Sequence, residues 1–492
     1  MTCNALTKKH KRTNKTQFGQ PKKREKRLVG HRKKRQAHNR RQKQALQSFL
    51  ADNLGAILLN GLNQVLRTHF ADLTTRLEKL PDPRSRSSYP LSDILFAAIM
   101  LYGLKQGKRH YLNQKRKSER FRKNYERTFG RKLPHMDTVN AVLEKIPSKE
   151  LENLCVELVK VLLDKRLFHS RRLLGKYFCI AVDASGYASY EQVPNWSCPY
   201  KVSKKGKKTW VQPILCAKLV LGNGFCIPIL TEWILNEEEY KKQDCELKAF
   251  KRLAKRLKVH FPRLPICILT DALYSNAPFF SICQEYKWKY ISVLKEGKLK
   301  DVWTEVALFD RLYAKNQKHL PQAIDHQTRK DQLFKWIDNL KYQDHTLHWI
   351  SCKEEKYQTN KESSRLVQTN HFVYVTNIAV NQTNIQQLIQ AGRLRWKIEN
   401  EGFNEQKNGG YKLKHKISRT NLNALQNFMH CLQIGHLINQ LLTLTHQFKN
   451  QIQKQFTLQH CWEQILAYLG QSTTNSEMAL IEHNIYWTLR YP

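Results

Sequence analysis

The chain has 492 residues, 41% of them hydrophobic, with 84 Lys and Arg against 41 Asp and Glu and a formal net charge of +43. That length holds a real core and about two to four domains. So large a positive excess is self-repelling unless the working partner is a polyanion, with nucleic acid the first choice and a membrane surface the second. The longest apolar stretch, 94–104, is too short to cross a bilayer and reads as a buried helix. The first 45 residues hold no apolar segment of a secretory signal. All twelve cysteines stand singly with no C-x-x-C pair, which excludes a disulfide framework and a zinc ribbon and fits reduced thiols. His430, Cys431 and His436 are the nearest metal-like group, and core packing accounts for them better than zinc.

Residues 1–45 carry 17 Lys and Arg and one acid, Glu25. They are expected to form a disordered arm that orders on a polyanion, or else a solubilising tail. Residues 46–170 read as a helical DNA-binding domain. Within it, 105–132 holds twelve Lys and Arg against Glu119 and Glu126, interleaved with His110, Tyr111, Phe121, Tyr125 and Phe129. Cations mixed with aromatics suit a nucleic-acid surface, and Lys115, Arg116 and Lys117 are its densest run.

The texture changes near Lys176. K-Y-F-C-I-A-V-D, 176–183, is an apolar run ending on an acid, as expected at the tip of a central strand. Two apolar runs bracket Gly222-Asn223-Gly224, a hairpin signal. Just before them lie Lys204, Lys205, Lys207 and Lys208, a basic cluster suited to phosphate. A helix over 244–259, a second acid-ended strand over 264–271, a helix near 277–286 and a strand over 289–295 complete the first part of an α/β core, 171–296. Residues 297–370 read as a polar, irregular insertion with β-like patches. A strand over 371–377 and a basic helix over 395–407 open the second part, 371–450, and 451–492 is a C-terminal helical segment.

The chemistry sits on that basic helix, G-R-L-R-W-K-I-E-N-E-G-F-N-E-Q-K, 392–407. In an α-helix, Arg395, Glu399, Phe403 and Lys407 fall at steps of four on one drifting face. Asp183, Asp271 and Glu399 together make a set of hard oxygen ligands for a divalent cation. Two such ions about 3.5–4 Å apart activate an attacking oxygen and stabilise the leaving one in phosphoryl transfer. Arg395 offers a planar fork for a phosphate oxygen, and Lys407 a point charge. Asp244, Glu246, Glu401 and Glu405 are rival carboxylates.

These residues resemble the bacterial insertion-sequence transposases of the DDE class, whose third-acid helix carries Tyr, two residues, Arg, three residues, Glu, six residues and Lys. Arg395-x3-Glu399 matches; Gly392 stands where the Tyr is expected, and the Lys falls one residue late, at Lys407, with Gln406 in its usual place. A-V-D-A-S-G-Y, 181–187, and I-L-T-D-A-L-Y-S-N-A-P-F-F, 268–280, resemble the family's first and second acid blocks. The resemblance implies an α/β fold: an RNase H-like core, its mixed sheet flanked by helices, with a helical N-terminal domain and a β-rich insertion. It implies Mg²⁺, with Mn²⁺ a possible substitute, at Asp183, Asp271 and Glu399. DNA is the implied partner, as terminal inverted repeats and as target, handled by a homo-oligomer on paired ends in the bacterial cytoplasm, at the nucleoid, with no membrane. A decayed or domesticated transposase that only binds DNA, or another RNase H-like nuclease, are the alternatives.

Overall fold

The structure, a computed structural model, describes residues 22–236, 243–312, 315–325, 327–359, 364–471, 487 and 489–492. Seven α-helices come first: α1 (Lys22–His69), α2 (Leu73–Glu78), α3 (Leu91–Gly103), α4 (Arg109–Arg116), α5 (Glu119–Phe129), α6 (Met136–Leu143) and α7 (Ser148–Asp164). The arm expected to be disordered through residue 45 is helical from Lys22, while 1–21 lies outside the described residues. The 22–45 stretch lacks an apolar stripe, but it is built of Lys, Arg, Gln and Ala, all strong helix formers.

Next come β1 (Phe178–Tyr190), β2 (Tyr200–Val202), β3 (Lys208–Val220), β4 (Cys226–Trp233), α8 (Glu246–His260), β5 (Ile266–Thr270), α9 (Ala277–Glu285) and β6 (Lys289–Val293). Then follow α10 (Lys300–Leu312), β7 (Gln317–Ala323), β8 (Thr328–Tyr342), β9 (His345–Thr359) and β10 (Ser364–Thr376). The chain closes with α11 (Ile385–Arg393), α12 (Glu405–Asn408), α13 (Leu422–Thr443) and α14 (Leu458–Gly470).

The strands form one ten-stranded mixed sheet in the order β2-β3-β1-β5-β6-β10-β9-β8-β7, with β4 also paired to β3. β1, β5 and β6 are parallel to one another, and every other pairing is antiparallel. β5, Ile-Cys-Ile-Leu-Thr, is buried at all five positions, as a parallel strand covered on both faces must be. The hairpin at Gly222-Asn223-Gly224 joins β3 to β4 as expected.

The segment 297–370, expected to be a polar, β-rich insertion, is α10 followed by long paired strands, and these are continuous with the core sheet. β10 crosses the expected boundary at 370 and pairs Tyr374 with Val293 of β6. Its polar composition has a structural cause. On β8, Phe334, Trp336 and Ile337 are buried while intervening positions are exposed or half-buried, so half of each strand is free to be polar.

Residues Gly55–Pro492 form one compact unit, and Met1–Leu54 another. Within Gly55–Pro492 the first and last helices share a layer: α13 packs on α3 and α7. All thirteen residues of α3 are buried. Among the described residues no helix is long and apolar enough to cross a membrane.

Candidate active site

Asp183 and Asp271 are brought level by the parallel pairing of β1 with β5. That pairing runs from 178–181 against 266–269, ending at Ala181 opposite Leu269. Two residues further along each strand stand the two aspartates. Asp183 is not the tip of its strand, however. β1 continues to Tyr190 along β3, with Asp183 opposite Cys216, so the acid marks where β1 parts from β5. Asp271 follows the last residue of β5 and caps the short turn Ala272–Tyr274, its Oδ1 accepting from Leu273 N at 2.9 Å. Its backbone is pinned from behind: Ser292 Oγ donates to the Asp271 carbonyl at 3.2 Å, within a buried hydroxyl chain of Thr270, Ser292 and Ser275.

Burial first, and then the negative charge of Glu399, push the Asp183 carboxyl up to about 7. Arg395 pulls the other way, and Glu246 and Asp271 add to the rise. Glu399 is thus near enough for its charge to act on Asp183.

Glu399 lies on a helix with an unexpected geometry. After α11, the chain turns at Leu394 and Arg395, then runs as a π-helix over Ile398–Asn404 into α12. A π turn holds one residue more than an α turn. It therefore corrects the expected stripe of steps of four beyond Glu399. It also absorbs the extra residue between Glu399 and Lys407. Gln406, in the place usual for the signature Lys, is fully buried, accepting from Lys218 Nζ at 3.1 Å and donating to Gln433 Oε1 at 2.9 Å. Lys407 instead is half-buried on the acid side. Burial and then Lys414 hold its pKa down, while Asp183 and Glu399 pull it up.

Two glycines make this arrangement possible. A Cβ on Gly402, inside the π turn, would lie 3.2 Å from the buried Lys218 ammonium and 3.1 Å from Cys226 Sγ. At Gly392 a Cβ would stand 2.8 Å from the Tyr374 ring, so the Tyr of the signature cannot be housed there; β10 fills that space with its own tyrosine.

Arg395 is buried, and its Nη1 donates to Glu399 Oε1 at 2.6 Å. Its Nε is buried with no partner in the protein. The rival carboxylates separate cleanly. Glu401 is paired with Lys397, Glu405 with Lys105 at 2.9 Å, and Asp244 with Arg252 at 2.6 Å. Only Glu246 joins the cluster, accepting from Tyr274 Oη at 2.8 Å. Burial raises its pKa, and the charge of Asp271 adds to that rise against the tyrosine bond.

An all-oxygen donor set with surplus negative charge fits a hard divalent cation in kind and in sign. As the side chains stand, among the described residues no three His, Cys, Asp or Glu are close enough together to hold one ion. His430, Cys431 and His436 are buried within α13, where Gln406 and Gln440 bond the His436 ring.

Lys204, Lys205 and Lys207 lie exposed on the turn between β2 and β3, and Lys208, also exposed, opens β3. Lys207 reaches the same cavity as Lys407, together with Lys414 and Lys416. Those last two went unread in the sequence, although Y-K-L-K-H-K, 411–416, alternates cations just past the third-acid helix. Lys115 and Lys117 are exposed around the end of α4, but Arg116 is committed to structure, its Nε donating to Leu133 O at 2.9 Å.

No family model matches the chain, and no curated protein matches it. Among solved structures the chain is similar to the NurA nuclease from Sulfolobus solfataricus, at 10% identity and a TM-score of 0.23, over 50% of this chain and 85% of that one. So shallow an overlap carries no argument about fold or chemistry.

Proposed function

We propose that the chain is a DDE transposase with an RNase H-like core, cutting and joining DNA at Asp183, Asp271 and Glu399. What supports this reading is that Asp183 and Asp271 each stand two residues past the paired positions of adjacent parallel strands, while Glu399, on a helix bearing Arg395 and Lys407, is near enough for its charge to act on Asp183. In the reaction water attacks a phosphodiester at the end of the element, the P–O3′ bond breaks, and a 3′-hydroxyl is freed beside a 5′-phosphate. That hydroxyl then attacks a target phosphorus, and the target's own 3′-oxygen leaves. Asp183, Asp271 and Glu399 would hold Mg²⁺, which when bound would supply Lewis acidity and lower the pKa of a bound water.

The chain's other groups orient the substrate. Under this reading the Arg395 guanidinium, which also holds Glu399, supplies a planar fork for a phosphate oxygen, and Lys407 adds a point charge. The Thr270, Ser292 and Ser275 hydroxyls fix the backbone that carries Asp271. The partners under this reading are the element's terminal inverted repeats and target DNA, bound by a homo-oligomer.

One observation favours a second reading, a transposase relative that binds DNA without cutting it: Arg395 engages Glu399, and no three acids are gathered around one point. Nicking assays separate the two. Under the transposase reading, Mg²⁺ with the element's own ends gives strand cleavage that chelator abolishes, and random duplex and RNA–DNA hybrid are cut far less. Binding without cleavage at any divalent concentration returns the chain to the second reading. Equal cutting of all three substrates makes it a general nuclease.

A further inference from the structure

Beside the acid cluster is a cavity of about 560 Å³ whose walls come from three separate segments. Residues 186–190 of β1 with Glu191 just after it form one side, Lys207 and Thr209 come from the turn before β3 and its first residues, and Lys407, Lys414 and Lys416 come from α12 and the stretch after it. Four lysines face one acid, Glu191. Among the described residues none of the four is in an ion pair. Lys414 and Lys407 are near enough for each charge to oppose the other. The Lys416 ammonium lies 5.4 Å from the Tyr190 ring centre. The hydroxyl of Tyr190, a residue 7% exposed, is buried with no hydrogen-bond partner.

Four lysines around one cavity repel one another unless a partner of opposite sign offsets the repulsion. The cavity also has a direction. It starts three residues past Asp183 on the same strand, and Lys407 feels both Asp183 and Glu399.

We propose that this cavity binds the sugar-phosphate backbone of the DNA strand that enters the acid cluster, with Lys414 and Lys416 each taking one phosphate flanking the bond to be cut. The proposal rests on the phosphodiester reading of the acid site. Neither Lys414 nor Lys416 belongs to the catalytic set, so their loss reaches DNA engagement and not chemistry.

The test uses the full chain carrying Asp183→Asn, so that only binding is read. A labelled duplex and a labelled single strand of the same sequence are titrated across a salt series. Lys414→Ala/Lys416→Ala should weaken affinity about 10-fold or more and make the plot of log K against log salt shallower by about 2, one counterion per lost phosphate contact. Lys414→Arg/Lys416→Arg should restore both. Lys414→Glu alone changes an exposed residue and gives the same trend if the double variant folds poorly. Single methylphosphonate substitutions along the strand supply the second measurement. At the phosphates held in the cavity, neutralisation should cost the Asp183→Asn chain affinity and cost the double variant nothing.

Unchanged affinity and slope, or identical methylphosphonate profiles, would overturn the proposal. Because cleavage is not read, that failure leaves the acid-site reading standing. A cleavage failure with intact lysine-dependent binding sinks only the acid site.

Discussion

At the scale of single residues the acid site trades stability for chemistry. Asp183 is half-buried beside like charges, and burial first and then those charges push its carboxyl up from 3.8 to about 7. A raised folded pKa means stability is full at low pH and is lost as pH rises toward 7. The metal-free chain is therefore strained above neutrality. Asp183→Asn removes the charge and keeps the shape, and should stabilise the metal-free protein at pH 8 by up to ~4 kcal/mol, the free-energy equivalent of that shift. Thermal melts check it, and Mg²⁺ should raise the Tm of the unaltered chain but not of the variant. A lower Tm for Asp183→Asn would remove the electrostatic account of this residue.

Arg395 makes a contrasting prediction. Arg395→Ala strips a buried cation from Glu399 and removes the candidate phosphate clamp. It should cost about 10²-fold or more in cleavage rate, the scale of losing one preorganised charge-stabilising donor, and should weaken DNA binding as well. Single-turnover cleavage and gel shift on the same preparation check both halves. Unimpaired binding would leave Arg395 as a support for Glu399 alone.

At the scale of elements, the π turn over Ile398–Asn404 decides which side chains reach the site. It behaves as one inserted residue in an otherwise regular helix. Deleting the exposed Asn404 should let the segment close to α geometry with both flanks in register. Gln406 then stays in its buried network and Lys407 stays beside the acids. Cleavage within about 10-fold of the parent and an unchanged or higher Tm are expected, since the turn's poorer hydrogen bonds are what is lost. Had the segment been α-helical, the same deletion would rotate Gln406 and Lys407 by about 100° and unseat both. A collapse in Tm and activity is thus the contradicting result.

The same turn shows where sequence reading stops. The strand carrying Asp183, the hairpin, β5, α8 and α9 were legible because burial on both faces or at helical period leaves an apolar pattern. The Arg395–Glu399 pair was legible because four residues is a local distance. The late Lys407 was legible only as a mismatch, since nothing local distinguishes a π turn from an α turn. Much of β7 to β9 looked irregular, with only β-like patches, because sheets covered on one face need apolar residues at only every second position, whereas the end of β10 over 371–377 read as a strand. Lys218 and Tyr374 were invisible as site supports, because each meets the helix across a long sequence separation.

At the scale of the whole molecule, buried histidines set the acid limit. Burial pushes His430 and His69 down to about 4, and holds His436 well below its usual value. A depressed folded pKa means the stability they permit is full above pH 6.5 and declines as pH falls toward 4. For His430 and His69 the shift is worth up to ~3 kcal/mol each. Asp183 and Glu246, whose pKa values are raised, work in the opposite direction over part of the range. Added protons also enlarge a net charge already at +43. The Tm should therefore fall steeply between pH 6.5 and 4, and His69→Gln/His430→Gln should flatten the decline. A Tm constant across that window would mean the histidines are not held neutral.

The most direct test of the central claim sets the unaltered chain beside Glu399→Gln in a Mg²⁺-dependent cleavage assay on the element's ends. Glutamine keeps the size and hydrogen-bonding capacity of Glu399 and removes the charge a hard cation needs. The rate should fall by at least ~10²-fold, more than the loss of an outer-shell partner, while gel-shift affinity stays near the parent value or tightens. Full cleavage by Glu399→Gln would contradict the metal site built on Asp183, Asp271 and Glu399.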